Sequence, residues 1–376
     1  GMSAYGTDKY VKQFDKLVII NSNNDYLLNL NYFRFHTHGA QKWLSKKFYN
    51  EFGPRKKYNE KFDQRHFDIA FALQKLVEKL GISLANKIFD ITKSENLCMT
   101  GGVMLNCLMN SEIIKHTKFK HFFIQPIAND PGAGIGSALY YYYKLLNKSR
   151  NYKFHDIYLG TSYSNNDVEK CLKKNNLSYE KSINLEKNVA EILSQGNIVG
   201  WFQGRMESGP RSLGNRSILA NPSDPNMKDK LNSKIKKREF FRPFAPAIIL
   251  EDLHNYFILP KNINSPHMIL AGKVKESKKK LLPAITHADN TARVQSVNKK
   301  DNVLFWNLIN EFKKITGVGV LVNTSFNVRG EPIVNSPEDA FKCFLNTEMD
   351  YLVIENFLYK KKNQKTKIKK QQFKID

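Results

Sequence analysis

No apolar run in the 376-residue chain approaches the length needed to cross a bilayer. No apolar segment of the secretory kind stands at its start, so neither a membrane-embedded nor an exported protein is expected. Cysteine is scarce. Cys98, Cys107, Cys171 and Cys343 lack metal-type spacing and read as inert thiols in a reducing, cytoplasmic setting. No serine or cysteine stands in an evident nucleophile-and-base pattern, so covalent catalysis is not indicated. Acidic residues are few beside basic ones, 35 against 59, which leaves a formal net charge of +24. Residues 360–376 supply +7 of it and Lys273–Lys280 another +4, both through lysine. Both clusters are poor in the arginines and aromatics on which single-stranded nucleic acid stacks, so a solvated basic tail is expected before a nucleic-acid surface.

What is present is ordinary for a folded protein. Hydrophobic residues make up 41% and charged residues 25%, and the length suffices for two domains. The exception is residues 204–217, which hold four glycines or prolines, three arginines (Arg205, Arg211, Arg216) and one glutamate. The strand-like run Ile198–Phe202 leads into this stretch, and Asn221-Pro222 breaks the chain after it. Glycine lets backbone approach a ligand, and the guanidinium fork matches carboxylate or phosphate oxygens. The alternative is a surface turn with solvated arginines.

In chain order, Leu17–Ile20 and Tyr26–Leu30 have strand character. His36-Thr37-His38 reads as alternating strand positions on opposite faces, which argues against joint metal binding. Helical spacing runs from Asp63 to Leu80, with Gly81 expected to end the helix. Strand Asn96–Thr100 then enters a Gly101-Gly102 turn and a helix start, whose free N–H groups suit a phosphate or nucleoside. A second strand, His121–Pro126, leads through Asn129-Asp130-Pro131-Gly132 into a helix reaching about Leu146. Repeated strand–glycine turn–helix units predict an α/β domain with its site at the strand ends. Asp130 there is either a ligand to a nucleotide-bound cation or a helix-capping aspartate.

Beyond a basic connector at Lys148–Lys153, short helices are expected at Asp167–Lys174 and Leu185–Leu193, with strand Ile198–Phe202 after them. A polar helix over Asp224–Lys237 ends in Lys236, Lys237 and Arg238, where cations also suit the helix dipole. Arg242, between Phe241 and Pro243, sits in a segment apolar enough to require an anionic partner, carboxylate or ligand. Arg293 follows in an alternating run. Gly319–Val322 is a buried-type strand opening into Asn323–Asn327, Pro337–Leu345 a helix, and Tyr351–Ile354 the last strand.

Together, Gly101-Gly102-Val103-Met104-Leu105-Asn106-Cys107, Asn129–Gly132, Ser208-Gly209-Pro210-Arg211-Ser212-Leu213-Gly214 and Phe241–Pro246 resemble the carbamoyltransferase family. Asn323-Thr324-Ser325-Phe326-Asn327 with Gly330-Glu331-Pro332 continues the likeness, which covers Gly1 to about Leu358. Nodulation and antibiotic O-carbamoyltransferases are among its members. The resemblance implies an α/β protein in two parts. Residues 1–157 would be an incomplete actin/sugar-kinase-type ATPase lobe. Residues 158–359 would be a mixed twisted-sheet domain similar to the tRNA threonylcarbamoyl-adenylate-forming domain, with a basic tail at 360–376. The implied activity uses carbamoyl phosphate, ATP and Mg2+ to make carbamoyl-adenylate, whose carbamoyl group then passes to a hydroxyl of an unknown acceptor.

On that resemblance, Lys236, Arg242 and Arg293 neutralise phosphate oxygens, and Ser325 and Asn327 bond the nucleotide or carbamoyl group. Arg205, Arg211 and Arg216 order the loop or the anion. Gly101, Gly102 and Asn106 face the nucleotide, and Asp130 is one ligand of an iron-type divalent metal. The paired histidines that complete such a metal site belong to the front half of the first lobe, which has no counterpart here. The chain is therefore expected to be a fragment or one half of a split enzyme, paired with that half or with a second copy, and to leave a sheet edge exposed. An RNA-directed role and a non-catalytic assembly subunit are the other readings.

Overall fold

The computed structural model describes residues 1–363 except 152, 153, 155 and 176. The described chain is a mixed α/β protein that divides into two compact units. The first comprises Gly1–Met99, Leu108–Phe123 and His287–Asp289; the second takes Thr100–Cys107, Ile124–Thr286 and the chain from Asn290 on. No helix among the described residues is long and apolar enough to cross a membrane.

In the first unit the two segments of strand character form β1 (Val18–Ile20) and β2 (Tyr26–Leu28), which pair antiparallel with Val18 opposite Leu28. Val18 is buried in the core, but the other apolar side chains of the pair are poorly covered, with Leu27 68% exposed. The dominant element is the helix Gln64–Thr92, opened by a capping box between Asp63 and His66. Gly81 does not end it, contrary to the glycine rule. A Cβ there would stand 3.0 Å from Ile113 and from Met109, so the missing side chain admits a neighbouring helix at no break in the hydrogen-bond ladder. The stop comes at Lys93, in the left-handed conformation. Ala72 and Leu76 on this helix pack with Phe14, Leu17, Tyr32, Phe48 and Phe52. His36 and His38 are also not strand residues; they lie in the one-turn helix Phe35–His38. β3 (Asn96–Met99) pairs with β4 (His121–Ile124).

The second unit is built on an eight-stranded mixed sheet. Its strands are β5 (Glu180–Lys181), β6 (Val199–Phe202), β7 (Arg216–Ala220), β8 (Ala245–Ile249), β12 (Gln295–Val297), β13 (Val320–Ser325), β14 (Tyr351–Ile354) and β15 (Phe357–Lys360). Their order is β12-β8-β13-β7-β6-β14-β15-β5. β8/β12 and β6/β14 are parallel and the other neighbours antiparallel. β14 is not the last strand: β15 folds back on it as a hairpin, with Glu355 in the turn at positive φ. β9 (Phe257–Ile258), β10 (Ala271–Val274) and β11 (Thr291–Arg293) make a separate antiparallel sheet.

The central strands β6, β7 and β8 are buried along their whole length; β6 and β8 are apolar throughout, whereas β7 opens on the buried Arg216 and Ser217 before Ile218, Leu219 and Ala220. Helices Leu185–Ser194 and Val303–Thr316 cover one face through Val189, Leu193, Phe305, Leu308 and Phe312, packed on Trp201, Leu219 and Leu321. Burial of side chains this size contributes about 1.5–3 kcal/mol each and anchors the strand ends from which the polar loops emerge. The basic tail from residue 364 lies outside the described residues, as does part of the expected connector at 148–153.

Candidate functional site

The arginine-rich stretch 204–217 joins β6 to β7 and is tied down from within. Glu207, 3% exposed, accepts through one oxygen from the backbone N–H groups of Leu213 (2.5 Å), Asn215 (2.8 Å) and Arg216 (3.3 Å). Burial raises its pKa, partly offset by those donors and by Arg216. Arg216 is fully buried and donates to the carbonyls of Gln203 (2.8 Å), Asn215 (3.0 Å), Gly204 (3.1 Å) and Thr161 (3.2 Å). Its guanidinium lies 3.5 Å above the Phe202 ring. Arg205 donates to the carbonyls of Leu159 (2.9 Å) and Gly160 (3.2 Å). Two of the three arginines in the stretch therefore hold backbone in place.

The third turns inward. Arg211 lines a small cleft together with Arg238, Arg293, Ser212, Asn323, Thr324 and Ser325, over apolar walls from Phe244 and Met268. No carboxylate among the described residues lines it. Among the described residues neither Arg211 nor Arg293 is within ion-pair distance of an acid, and Arg293 Nε is buried without a hydrogen-bond partner. Burial lowers the pKa of Arg211 to about 10, helped by the charge of Arg293. Burial lowers Arg238 to about 10 as well, with Arg242 and Arg293 adding to it. Arg293 is shifted down by burial too. Desolvated cations that repel one another are a standing cost, relieved when an anion enters between them.

Arg238 is the member that sequence reasoning passed over as a helix-end cation. It lies just past a π-helical turn, Leu231–Lys236, and a left-handed Lys237. Its Nε donates to Asn232 Oδ1 at 2.8 Å and its Nη2 to the Pro243 carbonyl at 3.3 Å, with the guanidinium 4.7 Å from the Phe244 ring centre. Arg242, four residues on, does not line the cleft. Its side chain is 49% exposed and its Nε is 2.8 Å from Glu239, which Arg329 also approaches at 3.3 Å. The partner its sequence setting demanded is a surface carboxylate.

Lys236 is buried, and its ammonium is spent on protein oxygens. It donates to the carbonyl and, at 3.2 Å, the hydroxyl of Ser325, and to Asn327 Oδ1 (2.7 Å) and carbonyl (2.9 Å). Ser325 also donates to Asn327 Oδ1 at 2.7 Å, so these three residues form one cluster beside the cleft, which Ser325 lines. Beneath it, Asn323 donates to Gln295 at 2.7 Å and Gln295 to the Leu213 carbonyl at 2.8 Å, which joins β13 and β12 to the arginine loop.

The segment holding Gly101, Gly102 and Asn106 belongs to the second unit, where Cys107 is near enough to Arg211 and Arg293 to oppose the downward shift of both. Gly101 takes φ +101°, which favours glycine, and donates its N–H to the Ala128 carbonyl at 3.0 Å. The turn first makes a 3-10 helix, Gly102–Leu105, and the regular helix begins only at Cys107. Asp130 is exposed at the start of helix Pro131–Tyr140 and makes no side-chain capping bond. Among the described residues no group of three or more His, Cys, Asp or Glu side chains could hold a metal ion. A resident divalent metal at Asp130 therefore does not fit the residues present.

Comparison with known proteins agrees with this layout of motifs. The family described as carbamoyltransferase N-terminus matches residues 1–139, and that described as carbamoyltransferase C-terminus matches residues 190–361. An uncharacterized protein of Synechocystis is 41% identical over 394 aligned positions, covering 97% of this chain and 63% of that protein. Nodulation protein NolO of Bradyrhizobium diazoefficiens is 39% identical, covering 80% of this chain and 56% of NolO. The 3'-hydroxymethylcephem-O-carbamoyltransferase of Amycolatopsis lactamdurans is 33% identical, covering 75% of this chain and 52% of that enzyme. The chain thus spans between half and two thirds of the length of these relatives. With both family halves matched in order, the chain belongs to the carbamoyltransferase family.

Proposed function

We propose that this chain is part of an ATP-dependent carbamoyltransferase, and that the Arg211–Arg238–Arg293 cleft binds the phosphate groups of carbamoyl phosphate and ATP. The observation that carries this reading is three desolvated guanidiniums around one cleft that no carboxylate among the described residues lines. Such a site holds its charge ready for an anion and needs little reorganisation when one arrives.

The reaction assigned to residues 158–359 is formation of carbamoyl-adenylate. Atom balance requires carbamoyl phosphate to lose inorganic phosphate to water. A carbamate oxygen then attacks the α-phosphorus of ATP, and the bond to the β-phosphate oxygen breaks to release pyrophosphate. Negative charge moves onto phosphate oxygens in both steps, where fixed guanidiniums stabilise it. Mg2+ would enter with ATP. Ser325, held by Lys236 and Asn327, offers a hydroxyl at the cleft wall. The carbamoyl group would go on to an acceptor hydroxyl with residues 1–157, read as part of an ATPase-type lobe. Asp130 is one carboxylate among the acids and histidines such a lobe would need for a metal, and no step is assigned to it.

Incubating the full chain with ATP, Mg2+ and carbamoyl phosphate tests the assignment. Release of pyrophosphate that depends on carbamoyl phosphate is expected. A folded chain that binds neither substrate and releases no pyrophosphate would end it.

A further inference from the structure

Arg238 is steered by one residue from both its backbone and its side chain. Asn232 is 2% exposed, in the first turn of the π-helical segment Leu231–Lys236. Its carbonyl accepts the backbone N–H of Arg238 at 3.1 Å. Its Oδ1 accepts Arg238 Nε at 2.8 Å, and its Nδ2 donates to the Arg242 carbonyl at 3.0 Å and, at 3.5 Å, to that of Phe240. Both side-chain polar groups and the carbonyl of one buried residue thus act on residues 238–242. Without Oδ1, Nε would have no acceptor and the long side chain would regain its rotamers.

From this geometry we infer that Asn232 is a positioning residue: it aims the Arg238 guanidinium at the anion held in the cleft, and its contribution to anion binding runs through Arg238. The inference rests on the cleft proposed above. The division of donors fits it. Nε is committed to Asn232 and Nη2 to Pro243, the Phe244 ring fixes the plane, and Nη1 has no bond to the described residues. A guanidinium held along one edge presents its remaining N–H groups in a fixed direction. If Asn232 only satisfied buried backbone, its loss would lower stability and leave the affinity of the folded chain unchanged.

A double-mutant cycle separates these cases, with inorganic pyrophosphate as the probe and calorimetry on the full chain. Asn232→Leu keeps the branched outline of the side chain and removes its acceptor and donor, and is expected to weaken pyrophosphate binding about tenfold, the scale of one charge-assisted hydrogen bond. Arg238→Gln should weaken it by at least as much. The double variant should bind no more weakly than Arg238→Gln alone. Asn232→Ser, too short to reach Nε and free of overpacking, repeats the cycle should the leucine not be tolerated. Additive losses, or unchanged affinity with Asn232 replaced, would overturn the inference while leaving the cleft intact. No pyrophosphate binding by the unsubstituted chain would overturn both.

Discussion

The ammonium of Lys236 lies 2.7 Å from Asn327 Oδ1 and 2.9 Å from the carbonyl of the same residue. Asn327 Nδ2 in turn donates to the Glu331 carbonyl at 2.7 Å, so the lysine closes a turn that β13 opens into. The expectation from the sequence was a lysine that meets phosphate directly. Its position makes it a clamp on Ser325 and Asn327, with its charge felt in the cleft only at one remove. Burial lowers its pKa to about 7, with Arg238 adding to the shift.

A pH signature follows from that burial. Between about pH 7 and the ordinary lysine range near 10.4, an unfolded chain binds a proton at Lys236 that the folded chain does not. Stability should therefore rise with pH across this window, by up to ~1.4 kcal/mol per pH unit from this group. Below pH 7 both states are protonated and the slope vanishes. Urea unfolding at pH 7, 8 and 9 of the unsubstituted chain and of Lys236→Met measures it. Equal slopes in the two proteins would show that Lys236 keeps its proton throughout.

Arg211 and Arg293 should reveal themselves by opposite effects on binding and stability. Each is buried beside the other's charge, so Arg211→Gln or Arg293→Gln removes a repulsion as well as a donor. Pyrophosphate affinity is expected to fall roughly 10- to 100-fold for either. The melting temperature without ligand should stay constant or rise, since an uncompensated buried cation is costly. A large fall in melting temperature would mean that these guanidiniums hold the loop together, as Arg216 does.

For Arg242 the expected effects are small. Its bond to Glu239 joins two residues at the surface, a class of ion pair worth about 0–1 kcal/mol. Arg242→Lys should leave pyrophosphate affinity within about twofold and stability within about 1 kcal/mol. Arg238→Lys keeps the charge but loses the planar fork that Asn232 and Pro243 hold, and should weaken binding several-fold. Measuring both variants side by side decides which of the two arginines serves the anion. A greater loss in Arg242→Lys would reverse the assignment.

The contrast between these two arginines marks how far the sequence could be read. Elements carried by local signals were legible: the strands β1 and β2, the start of the helix at Gln64, and the buried strands β6, β13 and β14. Features set by tertiary contact were not. Gly81 has the sequence of a helix stop, yet Met109 and Ile113 make its bare Cα a packing surface. Phe241 and Pro243 constrain Arg242 locally and so drew attention to it. The direction of Arg238 depends on a π-turn and on a hydrogen bond from six residues upstream, neither of which has a compositional mark. The arginine loop was found by its composition, but composition could not distinguish Arg211 in the cleft from Arg205 and Arg216, which grip carbonyls.

That loop should be intolerant at Gly214 for two separate reasons. Its φ of +106° disfavours any residue with a side chain, and a Cβ would stand 2.2 Å from the Phe305 ring. Phe305 belongs to the sheet-covering helix Val303–Thr316, and the Gly214 carbonyl accepts Trp201 Nε1 at 2.8 Å, so neither side can yield. Gly214→Ala is expected to cost about 3 kcal/mol or more, combining backbone strain with overpacking. Gly196 provides the control: its φ is +82°, but among the described residues no atom beyond its chain neighbours lies within 4 Å of its ideal Cβ. Gly196→Ala should cost only the strain, about 1–2 kcal/mol. Urea unfolding of both variants measures the difference, and equal losses would show that contact with Phe305 adds nothing to the conformational requirement.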